Sequence, residues 1–264
     1  MILLNNTHLV HPSSTASKSH PFTMPSFSQA SLATTILAAA WGSFLVMCPP
    51  NPQPEPASVP SSTSGDLLRD WGLGRPNASA IIFAPPIFLA LYTALLALTY
   101  PKIPPSLLRH GKANGLNADL VTWSWSTAVP LAMLIFVAIP LRASAYFTLG
   151  ANFTYTLSEP DRLLTDGVYA YVQHPGYTAF FILCCSLVWL FFRTDGAQST
   201  WFPERVYGAV RVFQKAMGLP VVLGLLVYAI WGRVAQEEEM LEGLFGAEWK
   251  AWHTKTARFV PYVL

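Results

Sequence analysis

Charge is scarce in this chain. Only 11% of its 264 residues are Asp, Glu, Lys or Arg, against about 25% in an average soluble domain. A soluble particle with so little charged surface would not stay dispersed, so the shortage argues against a water-soluble domain and for a chain dissolved in lipid. The formal net charge is +2 and no block of like charges occurs, which argues against nucleic acid as a partner. Cysteine is also rare. Cys48, Cys184 and Cys185 all sit in apolar runs, and three cysteines so placed fit neither a disulfide framework nor a metal site. They read as small hydrophobes; palmitoylation of the Cys184-Cys185 pair is disfavoured by its depth in an apolar run. No internal repeat is visible.

Apolar residues are abundant. They make up 52% of the chain and its mean hydropathy is positive. Five apolar runs approach the length needed to cross a bilayer core of about 30 Å, over residues 30–47, 80–100, 120–141, 177–192 and 216–231. The fold class expected is therefore an all-α integral membrane protein with about five transmembrane helices. Residues 1–25, rich in Ser, Thr, His and Pro, read as a disordered tail. The first run reads as an anchor, with a cleaved signal peptide as its rival. Residues 48–64 contain six prolines, Pro49, Pro50, Pro52, Pro54, Pro56 and Pro60, which forbid a helix and favour an extended linker. A short interfacial helix is expected over 66–71, ending at Trp71. Pro85 and Pro86 lie inside the second run, Pro130 kinks the third and Pro140 closes it. Residues 142–160 are expected along the interface, 193–215 as a polar connection, and 232–264 as a polar tail outside the bilayer. Lys and Arg fall in loops on both sides, so their count does not orient the chain.

Polar residues beside membrane spans are costly unless something uses them, and two clusters stand out. The first is Leu163-Leu164-Thr165-Asp166-Gly167-Val168-Tyr169, continuing to Gln173-His174-Pro175-Gly176-Tyr177 at the start of the fourth run. Asp166-Gly167 is a turn signal. Pro175 suits a first helical position, where unpaired backbone N–H groups suit a carboxylate. Tyr169, Tyr171 and Tyr177 could line an adenine or a sulfonium. Read alone, His174 is as compatible with a structural histidine. The second cluster follows the fifth run. Arg233 and Glu237 are four residues apart and share a helix face, with Glu238 beside them. Read alone, they are as compatible with a juxtamembrane ion pair. Met240, Leu241, Leu244 and Phe245 extend an apolar stripe, Gly246 breaks it, and Trp249 and Trp252 begin a second short amphipathic helix ahead of Arg258 and Pro261. The tail is thus expected to fold back on the membrane face and cap the site.

Together the two clusters resemble the membrane methyltransferases of the isoprenylcysteine carboxyl methyltransferase and phospholipid methyltransferase families. The first resembles the pattern Leu-x-x-x-Gly-x-Tyr-x-x-x-Arg-His-Pro-x-Tyr through Leu163, Gly167, Tyr169, His174, Pro175 and Tyr177. The second resembles Arg-x-x-x-Glu-Glu-x-x-Leu-x-x-x-Phe-Gly through Arg233, Glu237, Glu238, Leu241, Phe245 and Gly246, followed by Trp249 and by Arg258 and Pro261. The resemblance spans about 100 of the 264 residues. It implies an enzyme that uses S-adenosyl-L-methionine to methylate the C-terminal carboxylate of a prenylated cysteine. The catalytic region would then be 142–264, with 26–141 as scaffold. Leu163, Leu164 and Tyr169 would line the adenosine side. His174, Pro175, Gly176 and Tyr177 would hold the methionine end, Glu237 and Glu238 would face the cofactor, and Arg233 would meet the substrate carboxylate. The resemblance also implies prenylated protein C-termini as partners and residence in the endoplasmic reticulum membrane with a cytosolic active face. One departure stands out: the family's Arg before His-Pro is Gln173 here, so any charge that arginine supplies must come from elsewhere. A phospholipid or other lipid methyltransferase, a nicotinamide-dependent sterol reductase and a non-catalytic membrane scaffold remain the competing readings.

Overall fold

The computed structural model describes residues 24–48, 51, 78–153 and 159–261. The N-terminal tail through residue 23, nearly all of the Pro-rich linker and the helix expected over 66–71 lie outside the described residues. Those described are helical, with one isolated bridge between Val172 and Ala257 in place of any strand.

Helix α1 spans Phe27–Met47 and α2 spans Ala78–Thr99. Ser26 and Gln29 cap α1 reciprocally, side chain to backbone in both directions, which satisfies two otherwise orphaned groups of the first turn. The Gln29 amide also reaches the Leu98 carbonyl, 3.2 Å away, and so ties the start of α1 to the end of α2 in an antiparallel pair. Their interface is rich in buried alanine, with Ala33, Ala39 and Ala40 on one helix and Ala90, Ala94 and Ala97 on the other. Small residues let helix backbones approach where lipid supplies no hydrophobic drive of its own.

Helix α3, Trp125–Ala132, continues through a π-helical stretch, Met133–Ala138, into α4, Ile139–Leu149. Pro140 was expected to close this span, but the rod runs nine residues past it. A proline in a helix lacks an N–H and clashes with the carbonyl four residues back. The widened π turn just before it, closed by the bond from Ile139 N–H to the Leu134 carbonyl, moves the backbone out of the ring's way. The same device recurs near the C-terminus. Helix α6, Glu204–Phe213, passes through a π stretch, Gln214–Gly218, into α7, Leu219–His253, and Pro220 follows the widened turn directly. Helix thus runs from Glu204 to His253 through the stretches read from the sequence as a polar connection, a span and the start of a tail.

Helix α5, Pro175–Phe191, has 17 residues and a length of about 26 Å at 1.5 Å per residue. Among the described residues four helical stretches are long and apolar enough to cross a membrane: Phe27–Met47, Ala80–Thr99, Ala118–Leu149 and Glu204–His253. α5 is the shorter fifth. The core lies among α1, α2, α3–α4 and α5, with Leu32, Ile36, Leu96, Leu134, Leu183 and Phe191 buried. α7 instead presents Val221, Val222, Leu225, Val227, Tyr228 and Trp231 outward. This is an integral membrane protein, and lipid is the medium such a face requires.

Gly246 has φ 49° and ψ −112°, a kink inside α7. The break expected there is present, although the helix resumes at once and carries Trp249 and Trp252 on to His253. A Cβ at Gly246 would meet nothing within 4 Å, so the demand for glycine is purely conformational. Gly246→Ala is expected to destabilise by about 1–3 kcal/mol, read as a lower midpoint of thermal unfolding in detergent. An unchanged midpoint would mean the backbone relaxes there at no cost.

Candidate functional site

The chain from Leu163 to His174 is brought onto the polar end of α7 by the folded-back tail. The Gln173 N–H donates to the Ala257 carbonyl (2.8 Å) and the His174 N–H to the Arg258 carbonyl (2.9 Å). Trp252 Nε1 donates to the Tyr169 carbonyl at 3.0 Å, and Thr178 Oγ1 donates to the Phe259 carbonyl at 2.9 Å. Two segments some 80 residues apart thereby close round one cavity. Its walls include Leu163, Leu164, Tyr169, His174, Gly176, Tyr177, Arg233 and Glu237.

Arg233 is 5% exposed. Its Nε donates to the Tyr177 hydroxyl at 3.3 Å, and Glu237 lines the same cavity. The i,i+4 pair read from the sequence is thus not a solvated juxtamembrane pair, since Arg233 closes on a tyrosine from α5. Tyr169 is buried beside Glu237. Burial first, and then the Glu237 charge, push its phenol well above the ordinary range, so it stays neutral and can only donate or accept a hydrogen bond.

Two sequence candidates stand off the cavity wall. Pro175 is fully buried as the first residue of α5, where it sets the helix start. Glu238 faces away from the cavity and clasps the tail: its Oε1 accepts from His174 Nε2 at 3.2 Å and from Arg258 Nε at 2.9 Å, while Oε2 accepts from an Arg258 terminal nitrogen at 2.9 Å. A two-pronged arginine–carboxylate contact of this kind fixes geometry as well as charge. Glu238 therefore holds His174 and Arg258 in place.

Gln173 resolves the departure noted in the sequence. It is 3% exposed. Its Nε2 donates to the carbonyls of His253 (3.0 Å) and Thr256 (2.7 Å), and its Oε1 accepts from His253 Nδ1 at 2.9 Å. What this position meets is neutral backbone of the tail. An amide serves there, and no charge is called for.

The residue that sequence reading missed is Arg142. It was assigned to an interfacial stretch, but it sits at 5% exposure on α4 and lines the same cavity. Its Nε donates to the Tyr146 hydroxyl at 2.9 Å and its Nη1 to the Gly176 carbonyl at 2.8 Å. The guanidinium lies over the Tyr146 and Phe153 rings. The available signal was a lone arginine two residues after Pro140 inside an apolar run; the expectation that the span ended at Pro140 concealed it.

The cavity thus joins aromatic and aliphatic walls, two buried guanidinium groups and one carboxylate. Such a donor set fits a zwitterionic, partly aromatic small molecule together with an anionic acceptor. Comparison with known proteins bears on which one. Residues 130–202 match the isoprenylcysteine carboxyl methyltransferase family. The mouse protein-S-isoprenylcysteine O-methyltransferase is 36% identical over 95 residues, covering 28% of this chain and 33% of that protein. The human protein of the same name is 34% identical over 95 residues with the same coverage, and the Xenopus laevis one is 34% identical over 67 residues, 24% of this chain and 23% of that protein. The chain spans about a third of the length of the mouse and human relatives it matches. The family match contains the whole first cluster, Leu163 to Tyr177, while the second cluster lies outside it.

Proposed function

We propose that this chain, which shares its central segment with the isoprenylcysteine carboxyl methyltransferase family, is a membrane enzyme that methylates the C-terminal carboxylate of prenylated cysteine. The observation that carries the reading is the convergence of the two motif clusters on one cavity, with Arg233 and Glu237 on its wall. The methyl donor is S-adenosyl-L-methionine, which when bound supplies an electrophilic methyl on a sulfonium. The residues present fit it. Leu163, Leu164 and the neutral Tyr169 offer an apolar and aromatic wall for adenosine, Glu237 a counter-charge for an ammonium, and the α5 N-terminus, with the cavity-lining His174, Gly176 and Tyr177, a seat for the amino-acid end.

The acceptor needs no general base. A C-terminal carboxyl has a pKa of about 3.5, so it is already an anion at neutral pH. The protein must align it and keep water out, since in-line approach at about 3–3.5 Å accounts for much of the attainable acceleration. Arg233 can hold the carboxylate through two parallel N–H donors, and Tyr177, bonded to Arg233, fixes the direction of that fork. Transfer to an anion cancels charge, so burial of the site favours the reaction. The tail, held by Gln173 and Glu238, closes the cavity on one side. A second, wholly apolar cavity lies between α1, α2, α5 and α7, lined among others by Met47, Phe83, Phe180, Leu187 and Leu226. It supports a lipid-borne acceptor, for which each buried methylene contributes about 0.8 kcal/mol. The endoplasmic reticulum membrane, with the active face toward the cytosol, is the setting proposed for it.

The deciding experiment is transfer of labelled methyl from S-adenosyl-L-methionine to a farnesylated cysteine acceptor in membranes that express this chain alone. Base-labile label on the acceptor is expected, as a methyl ester requires. Label on a lipid amine would move the assignment to lipid methylation, and a chain that neither transfers nor binds the donor would be a scaffold.

A further inference from the structure

Helix α5 begins at the cavity described above, but its second half lines a separate groove with α3 and the start of the π stretch that follows it. A proline builds one end of that groove. Pro130 lies inside α3 and has no N–H, so the Ser126 carbonyl four residues back loses its helical partner. The Trp189 indole takes that carbonyl from α5, with Nε1 donating to it at 3.1 Å. The bond joins the end of α5 to the start of α3, so the two run antiparallel. It also fixes the indole ring, over which the Arg193 guanidinium lies at 4.9 Å from the centroid. The lining is apolar except at Ser126 and Ser186. Ser186 is 7% exposed. Hydroxyls in other spans return to a carbonyl of their own helix, as Ser43 does to Ala39 and Thr99 to Leu95. The Ser186 hydroxyl makes no hydrogen bond among the described residues. A polar group left so in an apolar setting is costly, and a ligand from the bilayer would satisfy it.

We propose that this groove binds a membrane sterol, with its hydroxyl between Ser186 and the Ser126 carbonyl and its rings lying along Pro130. The medium around α3 and α5 is lipid, and Val129 and Phe181 on the rim are exposed to it, so the occupant enters from the bilayer. The polar groups call for a hydroxyl. Ser186 can donate, and the Ser126 carbonyl, bonded once by Trp189, keeps a second lone pair. A hydroxyl accepts from the first and donates to the second. A phosphate or carboxylate would find no uncommitted cation, since Arg193 makes two bonds to Asp195, at 2.9 and 2.7 Å. The shape calls for rings. The lining runs from Trp125 to Met133 and from Phe181 to Trp189, about 12 Å each at 1.5 Å per residue. The volume is about 490 Å³. A space so short and broad suits a rigid fused-ring body, whereas an extended acyl chain is longer and thinner. Trp125 and Trp189 mark the headgroup boundary, which is the depth at which a sterol carries its hydroxyl.

The test reconstitutes the full chain in phosphatidylcholine vesicles with a cholestanol that carries a photoreactive diazirine on its B ring. Labelled peptides are mapped by mass spectrometry. Label is expected on residues 125–133 and 181–189. Unlabelled cholesterol should displace it, and cholestane, with the same rings and no hydroxyl, should displace it poorly. Ser186→Ala is expected to lower labelling about fivefold, as loss of one hydrogen bond does, and to abolish the difference between cholesterol and cholestane. Val129→Trp fills the groove from its exposed rim and is expected to lower labelling at least about tenfold. Label spread over all helices, or label that cholesterol does not displace, would overturn the proposal and leave the groove to acyl chains. Equal competition by cholestane in the unmodified chain would overturn it as well. If Ser186→Ala does not fold, Val129→Trp and the cholestane comparison decide. The readout is sterol labelling, so its failure leaves the methyltransferase reading standing, and a chain without methyl transfer can still take the label.

Discussion

Replacing Arg233 with alanine is expected to lower kcat/KM for methyl transfer at least about a hundredfold. Removing one preorganised donor from a reacting centre commonly costs 10²–10³, and a misplacement of about 1 Å costs a similar amount. Arg233 is buried, bonded to Tyr177 and on the same face as Glu237, so its loss removes both the fork that would orient the carboxylate and the charge that balances Glu237. Removing one partner of a buried charged set can also destabilise by about 3–5 kcal/mol. The thermal midpoint therefore has to be measured beside the rate. Arg233→Lys keeps the charge but not the planar fork, and it is expected to retain the fold while losing most of the rate through KM for the acceptor. Because Arg233 serves the acceptor, affinity for S-adenosylhomocysteine should stay within about threefold in the lysine variant. Near-normal turnover in both variants would remove Arg233 from the reaction.

The second large effect is expected at Gln173, where it comes through the tail. Gln173→Ala leaves the carbonyls of His253 and Thr256 and the His253 Nδ1–H without their side-chain partner. His253 and Thr256 are half-buried, so water replaces part of what is lost and a combined loss of about 1–3 kcal/mol is expected, together with undocking of residues 254–261. Limited proteolysis should then cleave the tail faster than in the unmodified chain, and methyl transfer should fall with it, since the tail closes the cavity. Gln173→Arg makes the sharper comparison. Guanidinium can donate to the two carbonyls but cannot accept from His253, so the imidazole must change tautomer to keep a bond. The expected result is a docked tail and no gain in activity. A marked gain would mean that the position needs positive charge after all, against the neutral partners it has here.

The polar clusters were legible because each follows a rule of local chemistry. Asp166-Gly167 marks a turn, and Gly167 indeed has a positive φ of 58°. Pro175 opens α5, and Gly246 bends α7. Arg233 and Glu237 share a face because a helix repeats every 3.6 residues. What misled the local reading was proline. Pro140 reads as a boundary, yet it sits just past a π turn that shifts the hydrogen-bond register and lets the helix continue. That error also hid Arg142, since a residue placed on an interface cannot be suspected of lining a site. Glu238 adjoins Glu237 in sequence, but one residue is about 100° of helix, and its carboxylate bonds His174 and Arg258.

The sequence by itself determined the solvent and the fold class. So few charges and such long apolar runs leave only a helical membrane protein, because every backbone polar group in lipid must be satisfied within its own segment. The two motifs are legible because their residue types and order are local properties of the chain. The tertiary structure alone decided which residues share the cavity. Arg142 and Gly176 are 34 residues apart and Gln173 and Thr256 are 83 apart. No periodicity records contacts at such separations: they exist only once α4, α5 and α7 have packed and the tail has returned to close over them.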